Sequence, residues 1–361
     1  MKRILFYISG HGYGHATRMV EVIKQIRRQE PETEIHIQTD APPWLFSLSL
    51  ANGYRLISKS CDTGAVQHTS FEVDARATLE SFSAFHQTWD KRIPEEVDYI
   101  KNNGIEIIVG DIPPLAFLAA HKAGIPSIAI ANFGWDWIYQ PYVENHPEFA
   151  WMVDTIQSAY GKADLLLRLP LHGDLSAFRS IQDIPLIAGK ATESPKAMRE
   201  KLAIDLDVRV VLVALRKADL DMIDLQQLAK LTDYIFIFLH PVPHSPIFHS
   251  IAPNAFAFPN LVAASDVVAT KPGYGIVAEC LTNDTPMLYT SREGFLEYDV
   301  LALGIEELKL GILLPPEDFF AGNWAESINR ILENCPGDWS DHPVDGAEKA
   351  ARIILSRAMK I

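Results

Sequence analysis

The chain has 361 residues, 48% of them hydrophobic and 22% charged, with a formal net charge of −14. That length exceeds what one hydrophobic core usually serves, so two domains are expected, and the composition excludes disordered and fibrous classes. No block of Lys and Arg interrupts the negative charge, which argues against a nucleic-acid partner and leaves any membrane contact peripheral; Cys61, Cys280 and Cys335 lack paired spacing, which excludes a disulfide scaffold and points to a reducing, cytoplasmic setting.

The chain opens with MKRILFYIS, two positive charges and an apolar run without a small-residue cleavage site, which is read as a first buried strand over residues 3–9 and not as a signal peptide. No segment approaches the roughly 20 consecutive apolar residues that span a bilayer. Met19, Val22, Ile23 and Ile26 then repeat at helical spacing, with Arg18, Glu21, Lys24 and Arg27 assigned to the other side. Strands follow at EIHIQT (34–39), IEIIVGD (105–111) and PSIAIAN (126–132), and ADLLLRLP (163–170) reads as the last of the series. Strands alternating with helical segments predict βαβ units and a doubly wound parallel sheet.

A polar stretch around residues 189–195 interrupts this pattern, which then restarts with VRVVLVAL (208–215), YIFIFLH (234–240), DVVATKPG (266–273), PMLYT (286–290) and GILLP (311–315). Two domains are therefore expected, over residues 1–188 and 189–345. The amphipathic segment 346–361 would be a helix packing back on one of them, preferably the first.

Ligands of open α/β sheets bind at the carboxyl ends of strands, where loops lead into helix N-termini. GHGYGH, residues 10–15, occupies such a place. Its glycines alternate, and His15 stands where the dinucleotide fingerprint needs its last glycine. Asp40, at the end of the second strand, keeps a dinucleotide reading open as a ribose ligand. Gly12 and Gly14 would let a ligand approach the backbone, and His11 and His15 are titratable candidates beside it. The bland alternative is a tight turn.

In the second half, ATKPGYGIVAECL suggests a strand, a turn holding Gly273 and Gly275, and a helix from about Ile276. Glu279 would sit one helical turn on, where a carboxylate can accept two sugar hydroxyls, unless it is simply solvated. The segment TSREGFLEYD, read as a loop, carries Arg292, Glu293, Glu297 and Asp299.

With these features the sequence resembles the GT-B glycosyltransferases: two Rossmann-like doubly wound domains facing across a cleft. GHGYGHATR is similar to their first-domain loop, and ATKPGYGIVAECLTNDTPMLY to their donor-binding segment. A further resemblance is to the glycosyltransferase-like N-terminal region of plant L-arabinokinases, through YISGHGYGHATRMVEVI, CDTGAVQ, VDARATLESF, GDIPPLAFLAAHKAGIPSIAIANFGWDWIY and KPGYGIVAECL in the same order. The kinase half and its phosphate loop have no counterpart, so kinase activity is not implied.

The resemblance implies an acceptor on the first domain and a nucleotide-sugar, by family default a uridine one, on the second, with no further cofactor. The acceptor would be a small molecule, a glycan or a lipid-linked compound. His15 matches the acceptor-side histidine and suits the role of base, with Asp111 orienting it or acting itself. His11, Gly12, Gly14, Asn132 and Trp135 would face the acceptor. Glu279 matches the glutamate that holds the donor ribose, Gly273, Tyr274 and Gly275 the diphosphate turn, and Glu297 the loop position at the donor sugar. One departure is VALRKADLD, where the family often has a Gly/Ser-rich turn; Arg216, Lys217 and Lys271 would supply positive charge instead.

The reading expects a metal-independent, inverting transfer. His240, His244 and His249 resemble a ligand set, but prolines separate them and no Cys or carboxylate completes it. Trp135, Trp137 and Tyr139 are read either as core or as an apolar wall for the acceptor. Two competing functions are a nucleotide-sugar epimerase of the same fold and a non-catalytic nucleotide-sugar sensor, the latter favoured by the departure at Arg216.

Overall fold

The computed structural model describes residues 2–50, 53–335 and 337–358. They form two compact units, each built on one parallel sheet.

The first sheet contains β1 (Arg3–Ile8), β2 (Glu34–Thr39), β3 (Tyr54–Ser58), β4 (Ile107–Asp111), β5 (Ser127–Ala131), β6 (Leu165–Arg168) and β7 (Ile181–Asp183), in the order β3-β2-β1-β4-β5-β6-β7. Ile4 to Ile8 are fully buried, which is why this strand reads as an unbroken apolar run: helices cover both faces of the sheet. Strand order reverses between β1 and β4, which makes the carboxyl edge there the topological switch point at which open α/β sheets bind ligands. β6 is not the last strand, contrary to the sequence reading. β7 adds a seventh, all three of whose residues are exposed, and such an edge carries no apolar signature. β3 was likewise not legible, since its burial is only partial.

The helix Gly14–Gln29 buries Met19, Val22, Ile23 and Ile26 as its periodicity requires, but it also buries Arg18, which the sequence reading put on the solvent side. The helix Gly346–Arg357 packs against it within the same unit. Two contacts hold that helix. The Lys2 ammonium donates to the Leu355 carbonyl at 2.7 Å, and the Gly346 amide donates to the Leu186 carbonyl at 3.1 Å. A Cβ at Gly346 would lie 2.1 Å from the Pro185 carbonyl oxygen, so only glycine permits this approach.

The second sheet contains β8 (Arg209–Ala214), β9 (Tyr234–Phe238), β10 (Phe248–Ser250), β11 (Val267–Thr270), β12 (Met287–Tyr289) and β13 (Gly311–Leu313), in the order β10-β9-β8-β11-β12-β13. It repeats the same plan, with its switch between β8 and β11. The unit also includes Gln67–Val73, a short stretch from the first half of the chain. Phe71 of that stretch is buried in the core with Phe236, Phe238, Phe319 and Trp324, and meets Phe320 edge-to-face at 5.0 Å. Burial of such a ring contributes about 1.5–3 kcal/mol.

Candidate functional site

At the switch of the first sheet, the loop after β1 and the end of β4 bring His15 and Asp111 together. His15 Nδ1 lies 2.9 Å from Asp111 Oδ1. Arg18, one helical turn after His15, donates from Nε to Asp111 Oδ2 and from Nη2 to Oδ1, and from Nη1 to Asn132 Oδ1 at 2.9 Å. Asp111 is completely buried; burial alone would raise its pKa, but the charges of Arg18 and His15 outweigh it and hold the carboxyl below its usual value. Nδ1 also lies 3.0 Å from the Arg18 Nη2 donor, so two tautomers fit these contacts; the one with a proton on Nδ1 donates to the ionised Asp111. That tautomer leaves the lone pair on Nε2.

Asp111, expected to orient His15 or act itself, and Asn132, expected on the acceptor side, are both fully buried: Asp111 is engaged with His15 and Arg18, and Asn132 with Arg18. Gly12 does fit an open approach: its φ is +75° and a Cβ there would meet nothing within 4 Å. His11 Nδ1 accepts from the Ala65 amide at 3.3 Å, and its ring meets Trp135 edge-to-face at 5.3 Å. Trp135 and Tyr139 are 1% exposed and pack among the buried rings of this unit. Gly14 opens the helix that carries His15.

Asp62 was not singled out in the sequence. It accepts from Ser9 Oγ at 3.0 Å and from Trp135 Nε1 at 2.9 Å, and burial pushes its pKa up to about 6 despite those donors. It thereby ties the strand end before the Gly/His loop to the helix Trp135–Asn145. The only signal for it was the motif CDTGAVQ, which carries no helical or strand periodicity.

Asp40, the ribose candidate of the dinucleotide reading, is exposed and crowds Gly10: a Cβ at that glycine would stand 1.9 Å from its Oδ1.

At the switch of the second sheet, Arg216 follows β8 and Lys271 follows β11. The helix here starts at Tyr274, not near Ile276, so Gly275 lies inside its first turn and only Gly273 is in the turn before it. That N-terminus has no acidic residue in its first turn and no side-chain cap. A Cβ at Gly273 would lie 3.1 Å from Lys271 Nζ. Burial, with the charges of Arg292 and Arg216, lowers the Lys271 pKa to about 7, against the opposing pull of Glu297 and Asp219. Glu297 is not on a loop, as the sequence suggested; it is the first residue of the helix Glu297–Glu307 and is buried, as are Glu279, Tyr274 and Arg292. Arg292 stacks over the Phe295 ring at 4.2 Å. Glu279 Oε1 lies 3.6 Å from the Cβ position of Gly189.

Asp219, also missed, is fully buried and accepts from the Ser70 amide at 2.6 Å, with Arg216 Nε 3.5 Å from its other oxygen. Lys217 turns to Asp221 instead of joining Arg216. Among the described residues no group of three or more His, Cys, Asp or Glu side chains is placed to hold a metal ion, the three histidines of HPVPHSPIFH included, and no helix is long and apolar enough to cross a membrane.

Residues 2–138 match the family model described as glycosyl transferase family 1. The chain is 30% identical to the L-arabinokinase of Arabidopsis thaliana over 98% of its own length and 34% of that protein, so it spans about a third of that relative and corresponds to its N-terminal part. It is 24% identical to an uncharacterized glycosyltransferase of Methanopyrus kandleri, over 71% of this chain and 76% of that one. Among solved structures, the spinosyn rhamnosyltransferase superposes with a TM-score of 0.64 at 12% identity, over 98% of this chain and 96% of that one. The two parallel sheets and this likeness give the GT-B fold.

Proposed function

We propose that this chain, a protein of the GT-B fold with a glycosyl transferase family 1 match at its N-terminus, transfers a sugar from a nucleotide-sugar donor to an acceptor hydroxyl. The observation that carries the reading is the His15–Asp111 pair, held at 2.9 Å by the fork of Arg18. In this account the acceptor oxygen attacks the anomeric carbon as its proton passes to His15 Nε2. The bond from that carbon to the diphosphate oxygen breaks, and its electron pair leaves with the nucleoside diphosphate. Attack opposite the leaving group inverts the anomeric centre. Asp111 does not act as the base; it holds the tautomer and stabilises the imidazolium.

The donor, taken as a uridine diphosphate sugar, is assigned to the second unit. Lys271, Arg216 and the N-terminus at Tyr274 would face the diphosphate, and no metal is needed to offset its charge. Glu279 would hold the ribose, Glu297 the transferred sugar. His11, Gly12 and Gly14 lie on the acceptor side, for a small-molecule, glycan or lipid-linked acceptor; Trp135 supports that loop from beneath. The free thiols of Cys61, Cys280 and Cys335 support a cytoplasmic setting.

The test uses uridine diphosphate and its sugars. Calorimetry should show nucleotide binding by both the native protein and His15→Ala, while donor turnover with acceptor or water falls about 10²–10⁴-fold in the variant. Binding without turnover by the native protein would favour the sensor reading, and a product of retained configuration would sink the mechanism.

A further inference from the structure

Gln67–Val73 forms a strap. Its flanking residues, Val66 and Asp74, belong to the first unit, where the Asp74 amide donates to the Val66 carbonyl at 3.0 Å, while the residues between them belong to the second unit. Phe71 anchors the strap in the aromatic core. Two backbone bonds tie it to segments that carry proposed diphosphate ligands or their neighbours. The Ser70 amide donates at 2.6 Å to Oδ1 of Asp219, which follows Arg216 on the same turn, and the Glu293 amide, next to Arg292, donates at 2.9 Å to the Phe71 carbonyl.

Asp219 divides its carboxylate between two tasks. Oδ1 holds the strap. Oδ2 is buried with no hydrogen bond among the described residues, and Arg216 Nε lies 3.5 Å from it. Holding the strap would need only Oδ1, and an asparagine would accept the Ser70 amide without burying a charge. The charge is accounted for by the cations around it. A guanidinium whose Nε faces a carboxylate keeps its Nη donors for a ligand, and the Arg216 side chain is half-exposed. Lys271 has its charged form opposed by burial, Arg292 and Arg216, and favoured by Glu297 and Asp219.

We propose that Asp219 is a positioning residue for the donor diphosphate, acting through Arg216 and Lys271 and held in place by the strap. This rests on the donor assignment made above. It makes a segment from the first half of the chain part of the donor site in the second unit. Coupling of this kind is reciprocal: if the Ser70–Asp219 bond strengthens diphosphate binding, bound diphosphate makes opening of that bond rarer by the same factor.

The test titrates uridine diphosphate into the full chain by calorimetry and follows hydrogen exchange of the peptide covering residues 67–73. Asp219→Asn should weaken binding near pH 7 by about tenfold or more. The loss of affinity with rising pH should also begin at lower pH in this variant, because Lys271 loses an anion that favours its proton. Saturating nucleotide should slow exchange in the strap of the native chain by about tenfold or more. Should Asp219→Asn not fold, Arg216→Met, at a half-exposed position, carries the test: it should weaken binding and reduce the protection of the strap. Where the native chain binds the nucleotide, the proposal alone is overturned by undiminished or tighter binding in Asp219→Asn, by weaker binding with an unmoved pH profile, or by strap exchange that ignores the nucleotide. No binding by the native chain overturns the donor assignment and this proposal together.

Discussion

The indole Nε1 of Trp135 donates to Oδ2 of Asp62 at 2.9 Å, and this bond connects the end of β1, through Ser9, to the helix that follows β5. Asp62 has a pKa of about 6 in the fold, above the ordinary carboxylate value near 3.9. The folded chain therefore holds a proton here that the unfolded chain has released between about pH 4 and 6, and stability contributed by this group is present below pH 4 and lost as pH rises through 6. Asp62→Asn should flatten the pH dependence of unfolding in that window by up to about 2–3 kcal/mol, read from urea titrations at pH 4, 5, 6 and 7. An unchanged profile would show that the carboxyl ionises normally.

Arg18 spans Asp111 and Asn132 with one planar fork, which a single ammonium does not reproduce. In Arg18→Lys the imidazole of His15 loses its fixed orientation. Turnover should drop about 10–100-fold with the donor KM unchanged, because the donor is assigned elsewhere. Steady-state kinetics with varied donor separates the two parameters, and a raised donor KM at constant kcat would contradict the assignment.

In the proposed donor site, Lys271 would give nucleotide binding a pH signature. With a pKa of about 7 in the free protein, it is largely neutral at pH 8 and must take up a proton to pair with a diphosphate. Affinity for uridine diphosphate should fall as pH rises above 7, up to about tenfold per unit, and Lys271→Met should bind more weakly with a flatter profile. Calorimetry in buffers of different ionisation enthalpy measures the proton uptake directly; its absence at pH 8 would place Lys271 away from the phosphate.

Two glycines should respond differently to alanine. At Gly10 the obstruction is the exposed side chain of Asp40, which can swing away, and the cost should stay under about 1 kcal/mol. At Gly346 the obstruction is the backbone carbonyls of Pro185 and Leu186, and Gly346→Ala should cost about 2–4 kcal/mol. Thermal unfolding of the two variants makes the comparison, and equal losses would count against the packing of the last helix described above.

The parts of this molecule legible from the sequence are those where local pattern and burial coincide. β1, β2, β4 and β5 are buried on both faces, so their apolar runs survive without knowledge of neighbours. β3, β7 and β10 lie at or near sheet edges, with half-exposed residues and no clean alternation. Histidine and glycine between a strand and a helix drew attention to His15, but Arg18 read as an ordinary polar helix residue because its partner is 93 positions away. Asp62 and Asp219 were invisible for the same reason: each is a buried acid whose donors come from distant loops.

The path of the chain has a consequence for dissecting or recombining this protein. It passes from one unit to the other after Val66, Val73, Ile187 and His342, so neither unit is a contiguous stretch. A fragment ending at residue 187 would lack the helix Gly346–Arg357, and one spanning residues 188–342 would lack Phe71 and leave an opening in its aromatic core. Loss of that ring corresponds to about 3–5 kcal/mol. A chimera that exchanges the second unit with a relative should therefore carry residues 67–73 along with 188–342, a two-segment graft whose first piece is only a heptapeptide.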